Sequence, residues 1–406
     1  MKVPKILLGG VPFGRNNVGD EAILECIVQI VRSICPEADI TVSTDDGDAT
    51  SKKLNVKTVQ LFGFSPPFSR KLLKKTLKEN DLFIWSGATG LSDYPESTTA
   101  MLEIAQAAGT KTVLFGVGMN ERLNPALFTL FPGPRRTAYQ TIKCCTMGLI
   151  DLVQRTQAAK EMRARERIRE TLNRADLVAL RDPESLTALS RCGYIPGVFV
   201  GADSALTLEP ADLDRVELPE KTRQLLHSDI PKIGICISAQ REIQNADKLI
   251  HCFDQWVENN TRRIIFVPMN PLTDSALMET LRKQMKYPDR AVLIDGRREP
   301  SEILAIASQM DVIASSRLHL LILASIVHVP IIGISRGSKV DNFLKPFGLQ
   351  SVGSVEECDF DRLDSEVQRL LDERAAFEMT SKTVRKELLE RLNGATEQLR
   401  QVISQL

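Results

Sequence analysis

Short β-branched apolar runs alternate with segments of helical period along most of this 406-residue chain. Nothing else in the sequence constrains the fold as tightly. Parallel strands must be joined by long crossovers, usually helices, so the alternation predicts parallel sheets covered on both faces. Strands are expected at Lys5–Gly10, Asp39–Thr44, Val56–Phe62, Asp81–Trp85, Lys111–Val117, Leu177–Arg181 and Val198–Gly201. A second set is expected at Lys232–Ser238, Arg263–Pro268, Ala291–Asp295, Asp311–Ser315 and Val329–Ile334. A chain this long exceeds what one core usually supports. The predicted architecture is therefore α/β, with two Rossmann-like doubly wound domains facing a cleft, and ligands placed beyond the carboxyl ends of the strands.

Boundaries follow from breaks in the pattern. An N-terminal domain is expected over 1–208, a Pro- and charge-rich linker over 209–231, a C-terminal domain over 232–373 and a helical tail over 374–406. A helical insertion of about fifty residues, 125–175, interrupts the first domain, and within it Arg155–Arg174 carries seven basic and three acidic residues. Such a run suits a solvated helix rich in i,i+4 pairs, or a basic face for an anionic acceptor or a membrane surface.

Lys+Arg and Asp+Glu balance at 52 each, which argues against a general nucleic-acid binder, since such proteins need a basic excess. The apolar run within Met1–Gly10 is too short for a secretory core, and no stretch approaches the length of a membrane span. The expectation is a soluble cytoplasmic protein, with contact at the inner face of the membrane left open. The eight cysteines lack paired C-x2-C spacing and most read as reduced core residues, so no metal is expected.

Three constellations carry chemistry. After the first strand, Gly9-Gly10-Val11-Pro12-Phe13-Gly14-Arg15-Asn16-Asn17-Val18-Gly19-Asp20-Glu21 leads into a helix and forms a candidate anion or sugar cradle. It lacks the Lys and Ser/Thr of a P-loop, because Arg15-Asn16 stand in their place. Arg181 ends a strand before Asp182-Pro183, where a guanidinium fork suits a carboxylate or phosphate, or else pairs with Asp182. In Ser315-Ser316-Arg317-Leu318-His319, Arg317 and His319 are expected in the first turn of an apolar helix. Cations at the positive end of a helix are unfavourable unless an anion sits there, which implies a ligand. Lys339, in the next strand-to-helix junction, is expected in the same pocket.

Taken together, Asn17-Val18-Gly19-Asp20-Glu21-Ala22-Ile23-Leu24, Arg181-Asp182-x-x-Ser185, Arg317-Leu318-His319, Val329-Pro330 and Lys339-Val340 resemble the polysaccharide pyruvyl transferase family, over about residues 5–349. The resemblance implies two Rossmann-like halves similar to GT-B glycosyltransferases. It further implies transfer of a pyruvyl group from phosphoenolpyruvate to a sugar of a polysaccharide or its lipid-linked precursor, forming a ketal, with no cofactor. His319 matches the catalytic acid; Arg181, Arg317 and Lys339 match positions suited to the donor. Asn17, Gly19, Asp20 and Glu21 fall on the acceptor side. Where the family is richer in glycine, this chain reads Ser86-Gly87-Ala88-Thr89-Gly90. Two other readings stand beside it. A nucleotide-sugar glycosyltransferase would need a ribose-binding carboxylate, for which Asp295 and Glu299 are the candidates, and a non-catalytic binding protein would have no use for the imidazole.

Overall fold

The computed structural model describes residues 3–64 and 69–406. Among the described residues, twelve strands form two sheets. In the first, β1 (Lys5–Gly9), β2 (Asp39–Thr44), β3 (Lys57–Gln60), β4 (Leu82–Ser86), β5 (Lys111–Val117), β6 (Leu177–Leu180) and β7 (Val198–Val200) lie in the order β3-β2-β1-β4-β5-β6-β7. In the second, β8 (Lys232–Cys236), β9 (Arg263–Phe266), β10 (Ala291–Leu293), β11 (Val312–Ser315) and β12 (Ile331–Gly333) lie in the order β10-β9-β8-β11-β12. Every pairing is parallel. Central strands such as β4 and β8 are buried along their whole length, as parallel strands covered by helices on both faces must be. This is the doubly wound α/β architecture anticipated from the alternation.

The strand orders fix where a ligand can go. In the first sheet the chain winds outward from β1 and then returns to its other side at β4; in the second it does the same at β8 and β11. Each reversal opens a crevice at the carboxyl ends of the strands. The two crevices face one another. The helix after β1, α1 (Val18–Ile34), begins there, and the Val18 N–H donates to the Met269 carbonyl of the second half at 2.8 Å. Ion pairs also cross the seam, with Lys53 on Glu299, Arg297 on Asp46 at 3.0 Å and Lys345 on Glu184 at 3.2 Å.

Between β5 and β6 two helices, α2 (Pro134–Cys145) and α3 (Leu152–Leu172), pack on each other. The end of α3 buries Ile168, Thr171 and Leu172, whereas α2 buries nothing. Much of the basic run is internally compensated: Arg165 pairs with Glu161, Arg167 with Glu103 and Arg169 with Glu166. Three more helices matter to the site: α4 (Pro271–Gln284), α5 (Leu318–Ile326) and α6 (Ser338–Leu344). The last, α7 (Arg374–Ser404), returns from the second sheet to lie against β6 and β7. There Gly201 and Gly394 admit the close approach, since a Cβ on Gly201 would stand 2.9 Å from Ala395.

Candidate active site

A cleft of about 550 Å³ lies between the two halves, lined by Asn17, Asp20, Ala88, Thr89, Arg181, Met269, Arg317, Leu318, His319, Arg336 and Lys339. Each of these residues follows the carboxyl end of a strand: β1, β4, β6, β9, β11 or β12. The topology thus collects six loops from two sheets around one space.

His319 is the second residue of α5, a helix apolar on every side and otherwise almost wholly buried. Its imidazole is 15 % exposed and seated against α1 of the opposite half. Gly19 makes that possible, because a Cβ there would lie 2.2 Å from Nδ1. The ring's Nε2 stands 3.5 Å from Asp203 Oδ2, an ionic contact, and has no hydrogen-bond partner among the described residues. Arg181 is seated in the same manner over Gly118, where a Cβ would come within 2.5 Å of Nη2. Its guanidinium contacts Asp203 at 3.5 Å and Asp182 at 3.4 Å.

Arg317 differs from expectation. It is the N-cap of α5 rather than part of its first turn, with its N–H bonded to Ser315 Oγ at 2.9 Å. Its guanidinium forks onto Asp274 of α4, with Nε at 3.0 Å and Nη2 at 2.6 Å. Asp274 is fully buried. The negative charge thought to require a ligand is therefore supplied in part by the protein, through Asp274 beside Arg317 and Asp203 beside Arg181 and His319. Arg317 retains an edge on the cleft, but its charge is already matched.

What stays unmatched is the pair contributed by the turn after β12. Lys339 makes no ion pair or hydrogen bond among the described residues, and the Arg336 Nε is buried without a partner while its Nη2 meets Gln240. Burial, reinforced by Arg336 and Arg181, holds the Lys339 ammonium down at about 8. Burial and the neighbouring Arg317 bring the Arg336 guanidinium to about 10. Such crowding of positive charge is unfavourable without an anion among the groups. Arg336 was not singled out from the sequence, although it stands in the same Ser335-Arg336-Gly337-Ser338-Lys339 junction.

The carboxylates diverge. Burial would raise Asp203, but His319 and Arg181 outweigh it and hold the group at about 2. Asp20 goes the other way, pushed up by burial that His319, Asn17 and Lys339 do not fully offset. One acid is thus fixed as an anion while the other leans toward its protonated form. Asn17, not Asp20, is the N-cap of α1: it accepts from the Gly19 N–H at 3.3 Å and donates to Asp20 Oδ2 at 2.7 Å. Glu21 does not line the cleft; it accepts from the Gly14 N–H at 2.8 Å and braces the glycine loop. Asp203 and Asp274 carry no local motif that a sequence could flag. Ala88 holds φ +58° and Gly87 φ +75°, so this turn takes left-handed backbone at two successive residues.

The other rival carboxylates are elsewhere. Glu299 is bound to Lys53 and closes the N-terminus of its own helix, and Asp295 is exposed, accepting from Gly296. Adjoining the cleft is an open groove of about 1590 Å³ that shares Arg336 and Lys339 with it and is further bordered by Asp93, Asn120, Arg122, Pro125 and Arg241.

The fold is similar to that of solved GT-B proteins. The HepE protein of Anabaena, solved with UDP-glucose, aligns over 99 % of this chain and 100 % of its own at 14 % identity and TM-score 0.59. A putative UDP-N-acetylglucosamine 2-epimerase from Listeria monocytogenes aligns over 94 % and 91 % at 12 % identity and TM-score 0.61. TcCGT1, solved with UDP, aligns over 100 % of both chains at 13 % identity and TM-score 0.59. At such identities the likeness establishes the fold alone. No protein with a curated description matches the sequence. The family model for polysaccharide pyruvyl transferases matches residues 17–338, from the N-cap of α1 to the first residue of α6, and the chain belongs to the polysaccharide pyruvyl transferase family.

Proposed function

We propose that the protein transfers the pyruvyl group of phosphoenolpyruvate to a sugar hydroxyl, forming a pyruvate ketal and releasing inorganic phosphate. The observation that carries this reading is the couple Arg336 and Lys339, without an ion pair among the described residues, within one cleft of an imidazole whose Nε2 faces Asp203 at 3.5 Å and has no hydrogen-bond partner among those residues. A small polyanion answers the first feature and a proton transfer the second.

In this reading Lys339 and Arg336, with the exposed edges of Arg181 and Arg317, take the donor's phosphate and carboxylate. Protonated His319 delivers its proton to C3, leaving C2 electron-poor. An acceptor hydroxyl then forms the C2–O bond and yields its proton to the imidazole. Asp203 balances the positive ring, and its own charge persists because it stays ionised. The re-protonated imidazole then gives its proton to the phosphate oxygen as that oxygen's bond to C2 breaks, a second hydroxyl of the sugar closes the ketal and returns its proton to the ring, and hydrogen phosphate leaves toward the cations. In the same reading Asn17 and Asp20, across the cleft, hold the acceptor hydroxyls, and the absence of a side chain at Gly19 lets the imidazole approach α1.

The nucleotide-sugar alternative draws on the UDP-bound neighbours, but neither Asp295 nor Glu299 lines the cleft. Titration calorimetry with phosphoenolpyruvate, UDP-glucose and GDP-mannose separates the two; saturable binding of phosphoenolpyruvate alone is expected, and binding of only the nucleotides would overturn the proposal. His319→Gln should lower turnover by about 10²–10⁴-fold while leaving donor binding in place. Turnover within tenfold of the parent would remove the imidazole from the mechanism.

A further inference from the structure

The described residues expose fourteen large apolar side chains, and six of them, Leu127, Phe131, Ile142, Met147, Leu149 and Ile150, fall within one stretch of the insertion. Met147 is 91 % exposed, Leu149 81 % and Phe131 74 %. They occupy the approach to α2, α2 itself and the turn into α3; Phe128 anchors the start of this stretch in the core, and from 129 to 150 no residue is buried. Cys144 and Cys145 are exposed beside them, whereas five of the other six cysteines are buried. Singly exposed apolar residues are ordinary, but six of them along one exposed hairpin, at both ends of α2 and on it, mark a surface that leaves water.

The charges around the cluster indicate what it meets. From Leu123 to Lys160 the chain carries Arg135, Arg136, Lys143, Arg155 and Lys160 against the single acid Asp151. Lys143 is taken up by Asp151 at 2.6 Å, which leaves four cations without an acidic partner among the described residues. Apolar residues at a tip with basic residues flanking them match the interface of an anionic bilayer, where the first enter the acyl boundary and the second meet headgroups. A second copy of this chain fits poorly, because a two-fold contact would set the basic flank against itself. No helix among the described residues is long and apolar enough to cross a membrane, so the contact is one of lying on the surface.

We propose that the hairpin spanning residues 127–160 docks this protein onto an anionic lipid bilayer. The basic face considered for this role from sequence, Arg155–Arg174, is displaced toward the tip, since its later half is tied up in ion pairs. Docking there also sets the geometry of the cleft. Pro125 borders the open groove that reaches Lys339, and Leu127 follows two residues later, so a bilayer at the hairpin presents headgroup-level molecules at the groove mouth.

The test is flotation of the full chain with vesicles of phosphatidylcholine alone or with added phosphatidylglycerol, at low and high salt. Partition onto the anionic vesicles that weakens with salt is expected. Arg135→Gln with Arg155→Gln should weaken it by about fivefold per charge removed, and Met147→Ser with Leu149→Ser should abolish it. Both pairs lie on the surface, and an unchanged thermal midpoint verifies the fold. Absence of flotation with both vesicles, or an undiminished partition of the Met147→Ser, Leu149→Ser protein, would overturn the proposal. So would a dimer in analytical ultracentrifugation that this same double variant dissociates, because it would assign the face to a second copy. None of these readouts depends on transfer chemistry, so their failure would leave the proposed reaction untouched.

Discussion

Replacing Lys339 by Met should make the empty protein more stable while removing donor binding. The ammonium is held at about 8 against an ordinary 10.5, chiefly by burial and then by Arg336. At 1.36 kcal/mol per pH unit, keeping that charge in the folded cleft costs roughly 3 kcal/mol. Methionine keeps the aliphatic stem and discards the charge. Relaxation around the new side chain takes back part of the benefit, so a gain of about 1–3 kcal/mol is expected at pH 7. The sign with pH follows from which state holds the proton. Below pH 8 the lysine is charged both folded and unfolded, and the wild type carries the full cost. Between about 8 and 10.5 the folded protein releases the proton while the unfolded chain keeps it, so wild-type stability rises and the advantage of Lys339→Met shrinks. Urea unfolding of both proteins at pH 7 and pH 10, read by tryptophan fluorescence, measures this directly. A matching thermal-shift series with phosphoenolpyruvate should stabilise the wild type and leave the variant unmoved. A variant less stable than wild type at pH 7, or an advantage that does not narrow by pH 10, would refute the view that Lys339 is an uncompensated cation waiting for an anion.

Two further substitutions probe the seats of the other charges. Gly19→Ala introduces a Cβ whose ideal position is 2.2 Å from His319 Nδ1, so the imidazole must shift; a fall in kcat of at least about tenfold is expected, with donor binding by calorimetry preserved, although alanine is the better helix former. An unaltered kcat would show that ring position is not critical. Asp274→Asn leaves the Arg317 guanidinium buried without its counter-charge and should cost about 3–5 kcal/mol in urea unfolding; a loss under about 1 kcal/mol would mean that the pair is not structural.

Much of the fold could be read in advance because its cause is local. Asp39–Thr44 and Lys111–Val117 form strands over the very bounds that their β-branched runs indicate, and the other ten strands fall within the expected runs or extend one residue beyond. Most of the strands lie inside their apolar runs, since parallel strands covered on both faces are built largely of residues that leave water. The residues at those ends were also legible, for the carboxyl edge of such a sheet is where loops meet ligands. Hence His319, Arg317, Lys339, Arg181, Asn17 and Asp20 could be named and do line one cleft.

Which charges pair is a different matter. Asp274 is 43 positions from Arg317, and Asp203 lies on the opposite half from His319. Nothing in the local chain records such meetings, so Arg317 looked like a cation in search of a ligand and proved to be satisfied. Glu21 lies one residue from Asp20 yet turns to the Gly14 amide, because successive helical positions face about 100° apart. Arg336 stood in plain view, but only the three-dimensional placement of its buried Nε beside an unpaired Lys339 distinguished it from any other surface arginine. The sequence by itself determined the elements, their parallel arrangement and the edge that bears the chemistry, since those follow from hydrophobic period and covalent reach. Only the tertiary structure decided which buried cations are already neutralised and which remain to receive an anion, because desolvation and Coulomb energy depend on distances that chain order does not encode.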